Sequence, residues 1–540
     1  MSPPSASTPS RERKRPFLTS ALPPAATLRA RAAGDASPDW ILTTVLLVLA
    51  GALSAITIRR GIGPHDEGLM LQAGSRIANG QWPYRDFWTN YPPGQPLLLA
   101  VLQLVFGPSL LAWRVLRIAT NAIVALLAFR LAYRRAGQPL ALLAWLAVAG
   151  AMAFPTGPGP NPTAIALALA SILLAEKQPV LGGGLAGLAA VFRIEIGIAA
   201  ALGAMLTVAP GKRHRTLLSA VLVAVACFAP FVIAAPGAIA HDLFGFYGIQ
   251  NLQRLPFPLG FDGPLRPSKL IEFYMPAILV TSFAVWAAAL GVRAAAAARS
   301  RAALRAGIGT TPRPSQPGAR ALELAPLAVV GLTYLFGRTD EFHLIPLSVV
   351  LAVMLAAEAA LARGALRVVL IVALTVITLH GLDRQAGQIL HPPAMAAVPG
   401  PAGDGVQTDV VDARALAALQ RKVNDLTRPG EPIFVADPRH DLVHVGDPLL
   451  YVLLDRPNPT RYDVMQPGLV TTASVQREII GSLERSRTRV VIRWLDPRAL
   501  AVEHNGSDRS SHVFLLDRYL AEHFRPVARY GVYQVLVRTG

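Results

Sequence analysis

From Trp40 to about Leu382 the chain repeats one pattern, apolar runs near the ~20 residues that cross a bilayer, separated by short loops rich in Arg, Pro and Gly. Spans are predicted at about 40–58 and 109–133, then as a pair around the loop Pro155 to Pro162. Two short spans flank Phe192-Arg193-Ile194-Glu195, and another covers 216–235. One more returns after the loop 236–270, and the last three lie at about 321–336, 344–362 and 366–382. The count is about eleven helices. Beyond 382 the hydropathy falls and the period changes. Strand-like runs at Ile433 to Ala436, Tyr451 to Leu454, Val490 to Trp494 and Tyr533 to Val537 fall among helical patterns at about 408–426, 473–485 and 512–523. The fold class is a polytopic α-helical membrane protein, residues 39–382, with a C-terminal α/β domain at 383–540.

Composition agrees: the 540 residues are 53% hydrophobic and 16% charged with a mean hydropathy of +0.42, outside the soluble globular range. The net charge of +18 raises nucleic acid as a partner, but its clusters lie between apolar runs, where the positive-inside rule predicts them. Topology accounts for the charge without nucleic acid. Residues 1–38, with Arg11, Arg13, Lys14 and Arg15, read as a disordered basic cytoplasmic tail. Residues 41–58 also suggest a signal-peptide core cut at Leu53-Ser54-Ala55, but the run and the tail before it are long for that layout. Arg134-Arg135, Lys212 to Arg215 and the acid-free loop bearing Arg293, Arg299, Arg301, Arg305, Arg313 and Arg320 mark the cytoplasmic side. Residues 59–108 then form the first external loop, against a mild contrary signal from Arg59 and Arg60, and an odd count puts 383–540 outside. The lone Cys227, inside an apolar run, reads as a small buried hydrophobe.

The external loop carries the candidate chemistry. Asp66 and Glu67 follow the first span, and Leu69, Met70, Ala73 and Ile77 at helical spacing predict an amphipathic helix on the membrane surface, closed by Asn79-Gly80. Its polar face is expected at the headgroups. An aromatic stretch, Trp82 to Trp88, and the turn Tyr91-Pro92-Pro93-Gly94 follow. The acidic pair after the first span, Asn79-Gly80 and the Tyr91 turn resemble the GT-C superfamily of membrane glycosyltransferases. The likeness is to the branch of glycosyltransferase family 39, the aminoarabinose transferases and the protein O-mannosyltransferases, and it extends to helix count, loop order and the external C-terminal domain. The resemblance implies transfer of a sugar from a polyprenyl-phosphate donor to an envelope glycan, lipid or protein on the outer face of the inner or plasma membrane, with membrane lipids around it. It implies that Asp66 serves the reaction centre, and such transfer needs a carboxylate to take the acceptor proton. The residue-level alternative is that Asp66 and Glu67 only begin the helix, where acids favour its positive end.

Cationic donors can stabilise the charge that develops on a leaving lipid phosphate. Arg338 and His343, in Gly337 to His343, are candidates, with headgroup snorkelling as the alternative. Arg193 with Glu195 interrupts apolar sequence, as a functional pair or a structural one. Arg85 and Tyr91 in the first loop are further candidates for the lipid phosphate. Arg254 and Lys269, with Phe246, Tyr247 and Phe257, read either as cover for the carrier or as ordinary lipid contacts. A divalent cation at Asp66, Glu67, Asp340, Glu341 and His343 is left open, because carboxylate sites have no readable spacing. The cluster Asp437 to Asp441 with His444 and Asp447, flanked by Pro438 and Pro448, reads as a solvated turn-forming loop in a domain for acceptor recognition or cover. A transporter or lipid flippase is the rival reading, but it leaves the acidic first loop unexplained and predicts paired inverted repeats that the chain lacks. A noncatalytic scaffold is a third, which would tolerate loss of Asp66.

Overall fold

A computed structural model of the chain describes residues 39–153, 159–245, 251–255, 257, 260–305, 321–500, 503 and 505–539. The basic tail, Phe246, Tyr247, Arg313 and Arg320 lie outside the described residues.

Each predicted span is a helix. They are α1 (Trp40–Ala55), α4 (Leu110–Ala136), α5 (Gln138–Met152), α6 (Asn161–Ala175), α7 (Pro179–Phe192), α8 (Ile194–Thr207), α9 (Arg213–Ala234), α10 (Pro267–Arg305), α11 (Ala325–Gly337), α12 (Glu341–Leu361) and α13 (Gly364–Leu390). Among the described residues five helices are long and apolar enough to cross a membrane: α4, α9 with the turn before it, α10, α12 and α13. Local signals set the ends. Ser109 accepts from the Ala112 N–H to start α4, and Gly137, at φ 76°, ends it and lets α5 turn straight back. Arg193 is extended between α7 and α8, two helices of 14 residues each, so the chain is broken there rather than continuous. In α7, Gly183 and Gly187 lie so close to the Thr216 and Ala220 carbonyls of α9 that a Cβ would clash. Helix α12 runs through the centre, with Pro346 to Ala359 all buried, whereas α9 leaves Leu217, Leu218, Val221, Leu222 and Val225 exposed, as a lipid-facing helix does.

The segment between the first two spans contains α2 (Asp66–Ala78), closed at Asn79 with Gly80 at φ 83°, and a second helix, α3 (Gly94–Phe106), where the sequence predicts only a turn before the next span. The expectation that the polar face of α2 lies at the headgroups is corrected. Gln72 and Arg76 are buried, and Arg76 pairs with Asp463 of the C-terminal domain at 2.7 Å. On another side Gly74 packs on Leu99 of α3, and Gln103 donates to the Leu71 carbonyl at 3.0 Å. The helix is sandwiched because its polar stripe has a protein partner.

The C-terminal domain holds a short ribbon, β1 (Met395–Ala397) with β2 (Gln407–Asp409), and a four-stranded sheet. The sheet order is β3 (Ile433–Ala436), β4 (Val490–Trp494), β6 (Tyr533–Arg538), β5 (Phe524–Tyr530), with β3 and β4 parallel and the other pairs antiparallel. Helices α14 (Val410–Leu426), α16 (Ala473–Arg485) and α17 (Leu515–His523) match the helical patterns. The run Tyr451 to Leu454 is not a strand: Leu449–Leu453 is helix α15, begun after Pro448 and buried all round, so its apolar pattern has no period to distinguish the two. Its Tyr451 hydroxyl accepts from the Val435 N–H of edge strand β3. The Asp437 to Asp447 loop is likewise not solvated. Asp437, His440, Asp441 and Asp447 are buried, with His440 bound to Asp517 at 2.9 Å and Ser510 donating to Asp441. The domain docks on the first loop through backbone bonds, Trp88 N–H to Arg461 O, Gln407 N–H to Arg59 O and Leu449 N–H to Pro64 O.

Candidate active site

A cavity of about 900 Å³ lies where the segment between the first two spans, α4, the α7–α8 break, the α11–α12 connection and the C-terminal domain meet. Asp66, first residue of α2, lines it half-buried, and among the described residues its carboxylate has no hydrogen bond or ion pair. Its charge is felt by two neighbours. Burial pushes the His65 imidazole down from its usual range, partly offset by Asp66, while its Nδ1 faces the Gly446 carbonyl at 3.3 Å. Burial raises the Tyr91 hydroxyl, and Asp66 acts in the same direction. Both line the cavity.

Glu67 points elsewhere. It is 1% exposed, outside the cavity lining, and takes a bidentate pair from Arg114 at 2.8 and 2.9 Å. Arg114 also donates to the carbonyls of Ile58 and Gly61, so one guanidinium ties the end of the first span to the start of α2. Three residues on, Arg117 is buried on the cavity wall. Neither arginine was among the residues expected at the site. The available signal was two cations inside a predicted apolar span, where charge is costly.

Arg193 and Glu195 do line the cavity as a pair, Nε to Oε1 at 2.7 Å, with the guanidinium 5.1 Å from the Tyr334 ring centre. Tyr334 also stacks with His343 at 4.1 Å and accepts from Asn161. Arg338 and His343 are brought to the same wall, and both bind Asp340, at 3.0 and 2.5 Å. Asp340 in addition caps α12 by accepting from the Phe342 and His343 N–H groups. Burial alone would raise its carboxyl, but His343 and Arg338 hold it well below the usual carboxylate range. Arg85 is not brought in: it is exposed, bound to Asp86 at 2.8 Å and set over Trp82. Arg254 donates to the Phe336 carbonyl and Lys269 pairs with exposed Glu272, also outside the lining. The C-terminal domain contributes His444 and Gln466, Gln466 reaching His65 at 3.1 Å.

Of the five candidate groups for a cation, Asp66, Asp340, Glu341 and His343 line the cavity and Glu67 does not, being taken by Arg114, while Asp340 is taken by Arg338 and His343. Among the described residues no cluster of three or more His, Cys, Asp or Glu is set to hold a metal.

No family model and no curated protein matches the chain. Solved structures do. ArnT from Cupriavidus metallidurans, an aminoarabinose transferase, bound to undecaprenyl phosphate, is similar at a TM-score of 0.50 and 14% identity over 94% of this chain and 99% of that one. Its apo state gives 0.51 and 13% over 92% and 97%. A weaker likeness, TM-score 0.43 and 14% identity over 85% of this chain and 70% of that one, runs to the oligosaccharyltransferase of Archaeoglobus fulgidus. With its array of apolar helices and a match along nearly the whole length of both chains, the chain shares the fold of ArnT.

Proposed function

We propose that the protein transfers a sugar from a polyprenyl-phosphate donor to an envelope glycan, lipid or protein, with inversion, using Asp66 as the base. The carrying observation is the Asp66 carboxylate, in the cavity and without a hydrogen bond or ion pair among the described residues. An acceptor hydroxyl gives its proton to Asp66 as its oxygen attacks the anomeric carbon, and the bond from that carbon to the phosphate oxygen breaks. Arg117, Arg193 and Arg338 on the walls oppose the charge that develops on the departing phosphate. A low-identity relative in fold that binds undecaprenyl phosphate supports a lipid-phosphate donor. The reaction then takes place on the outer face of the inner or plasma membrane, with the N-terminus cytoplasmic and the C-terminal domain outside, as the loop charges predict.

The test is transfer of labelled sugar from a panel of polyprenyl-phosphate donors in membranes holding the wild type or Asp66→Asn at matched levels. The proposal expects donor-dependent transfer in the wild type and a loss of about 10²- to 10⁴-fold in the variant, the usual weight of a general base. Wild-type membranes inactive with every donor would favour the transporter reading.

A further inference from the structure

Arg338 poses a problem for the proposed chemistry, because the end of its guanidinium is already filled. Nη1 and Nη2 lie 3.0 and 2.6 Å from the two carboxylate oxygens of Glu503, which comes from the C-terminal domain. The side edge is held separately, Nε by Asp340 at 3.0 Å, while Nη1 also reaches the Gln253 carbonyl at 2.9 Å. Asp340 is itself fixed as the cap of α12. The guanidinium is therefore oriented without help from Glu503, and the two-oxygen geometry at its end is the one in which arginine also grips a phosphate. His444, another cavity residue, stands 3.5 Å from the same carboxylate, and Asn505 donates to it at 2.9 Å.

We infer that Glu503 is a resident stand-in for the donor phosphate at Arg338, displaced when the lipid-linked substrate binds. The exchange rests on the reading of the cavity as a lipid-phosphate site. It gives the C-terminal domain a part in donor selection, since only a ligand anionic enough to replace a carboxylate gains Arg338. A carboxylate that acts only through its charge would change lipid-phosphate affinity by the same factor whether or not Arg338 is present.

The experiment measures binding of undecaprenyl phosphate, undecaprenol and inorganic phosphate to the purified full chain, as wild type, Glu503→Gln, Arg338→Gln and the double variant, with melting temperatures alongside. The exchange predicts that Glu503→Gln binds undecaprenyl phosphate about tenfold tighter, a change of about 1.4 kcal/mol, with undecaprenol unchanged. It also predicts that the gain vanishes when Arg338 is already Gln, as coupled neighbours require. Unchanged or weaker binding of the lipid phosphate by Glu503→Gln, with or without a lower melting temperature, overturns the exchange while leaving the proposed function standing. An equal gain for inorganic phosphate overturns it as a donor sensor. Absence of lipid-phosphate binding in every protein removes the functional reading and the exchange together.

Discussion

Two aspartates line the same cavity, and their surroundings differ sharply. Asp340, on the 337–343 loop, accepts from the Phe342 and His343 N–H groups, from the His343 ring and from Arg338. Its charge is held in place and its carboxyl is kept well below the usual range, which makes it a poor proton acceptor. The carboxylate of Asp66, at the start of α2, accepts from none of the described residues, and its neighbour Glu67 holds the structure by binding Arg114. Fixed acids build this site. The unbonded one is the base in the proposed transfer.

That division can be broken at its strongest point first. Arg114→Ala strands a fully buried Glu67, and it is expected to cost about 3–5 kcal/mol, read as a large fall in melting temperature or in folded yield. A variant melting like the wild type would mean that α2 is held by something else. Gly68→Ala comes next. A Cβ there meets the backbone of Leu449, so the first loop and the C-terminal domain must part slightly, at about 1–3 kcal/mol by the same melting assay.

Asp340→Asn sharpens the other side of the comparison. Because the folded carboxyl sits below its unfolded value of about 3.9, its contribution is present above that pH and is lost as the pH falls further. Melting temperature measured against pH is expected to fall less steeply on the acid side in the variant than in the wild type. Asn still caps a helix well, so the loss at neutral pH comes from Arg338 and His343 rather than from α12. The smallest effect is expected from Arg85→Gln, whose pair with Asp86 is exposed. Transfer activity within about twofold of the wild type is the expected result, since exposed pairs contribute little.

The parts of this account that were legible in the sequence are those with a local signature. Apolar runs located the helices, Asn79-Gly80 ended α2, and an acidic residue just beyond the first span marked the cavity. What escaped is what long-range partners decide. Nothing near Glu67 in sequence says that Arg114, 47 residues away, will claim it while Asp66 stays open. The polar stripe of α2 looks like a membrane-surface face until Asp463 covers it. Strand β5 went unread because Phe524–Tyr530 follows α17 without a break and carries Arg525, Pro526 and Arg529, and its pairing depends on the tight turn at Gly531 to β6. The buried Asp437 to Asp447 loop has the composition of a solvated turn, yet it is enclosed by contacts from α16, α17 and the segment before α17.

The most direct test of this division of labour measures turnover per folded molecule and melting temperature together for Asp66→Asn and Glu67→Gln. A crossed pattern is expected. Asp66→Asn melts as the wild type and loses transfer, while Glu67→Gln melts lower and keeps transfer in the fraction that remains folded. Wild-type turnover in Asp66→Asn, or a Glu67→Gln protein that melts normally without turning over, would contradict it.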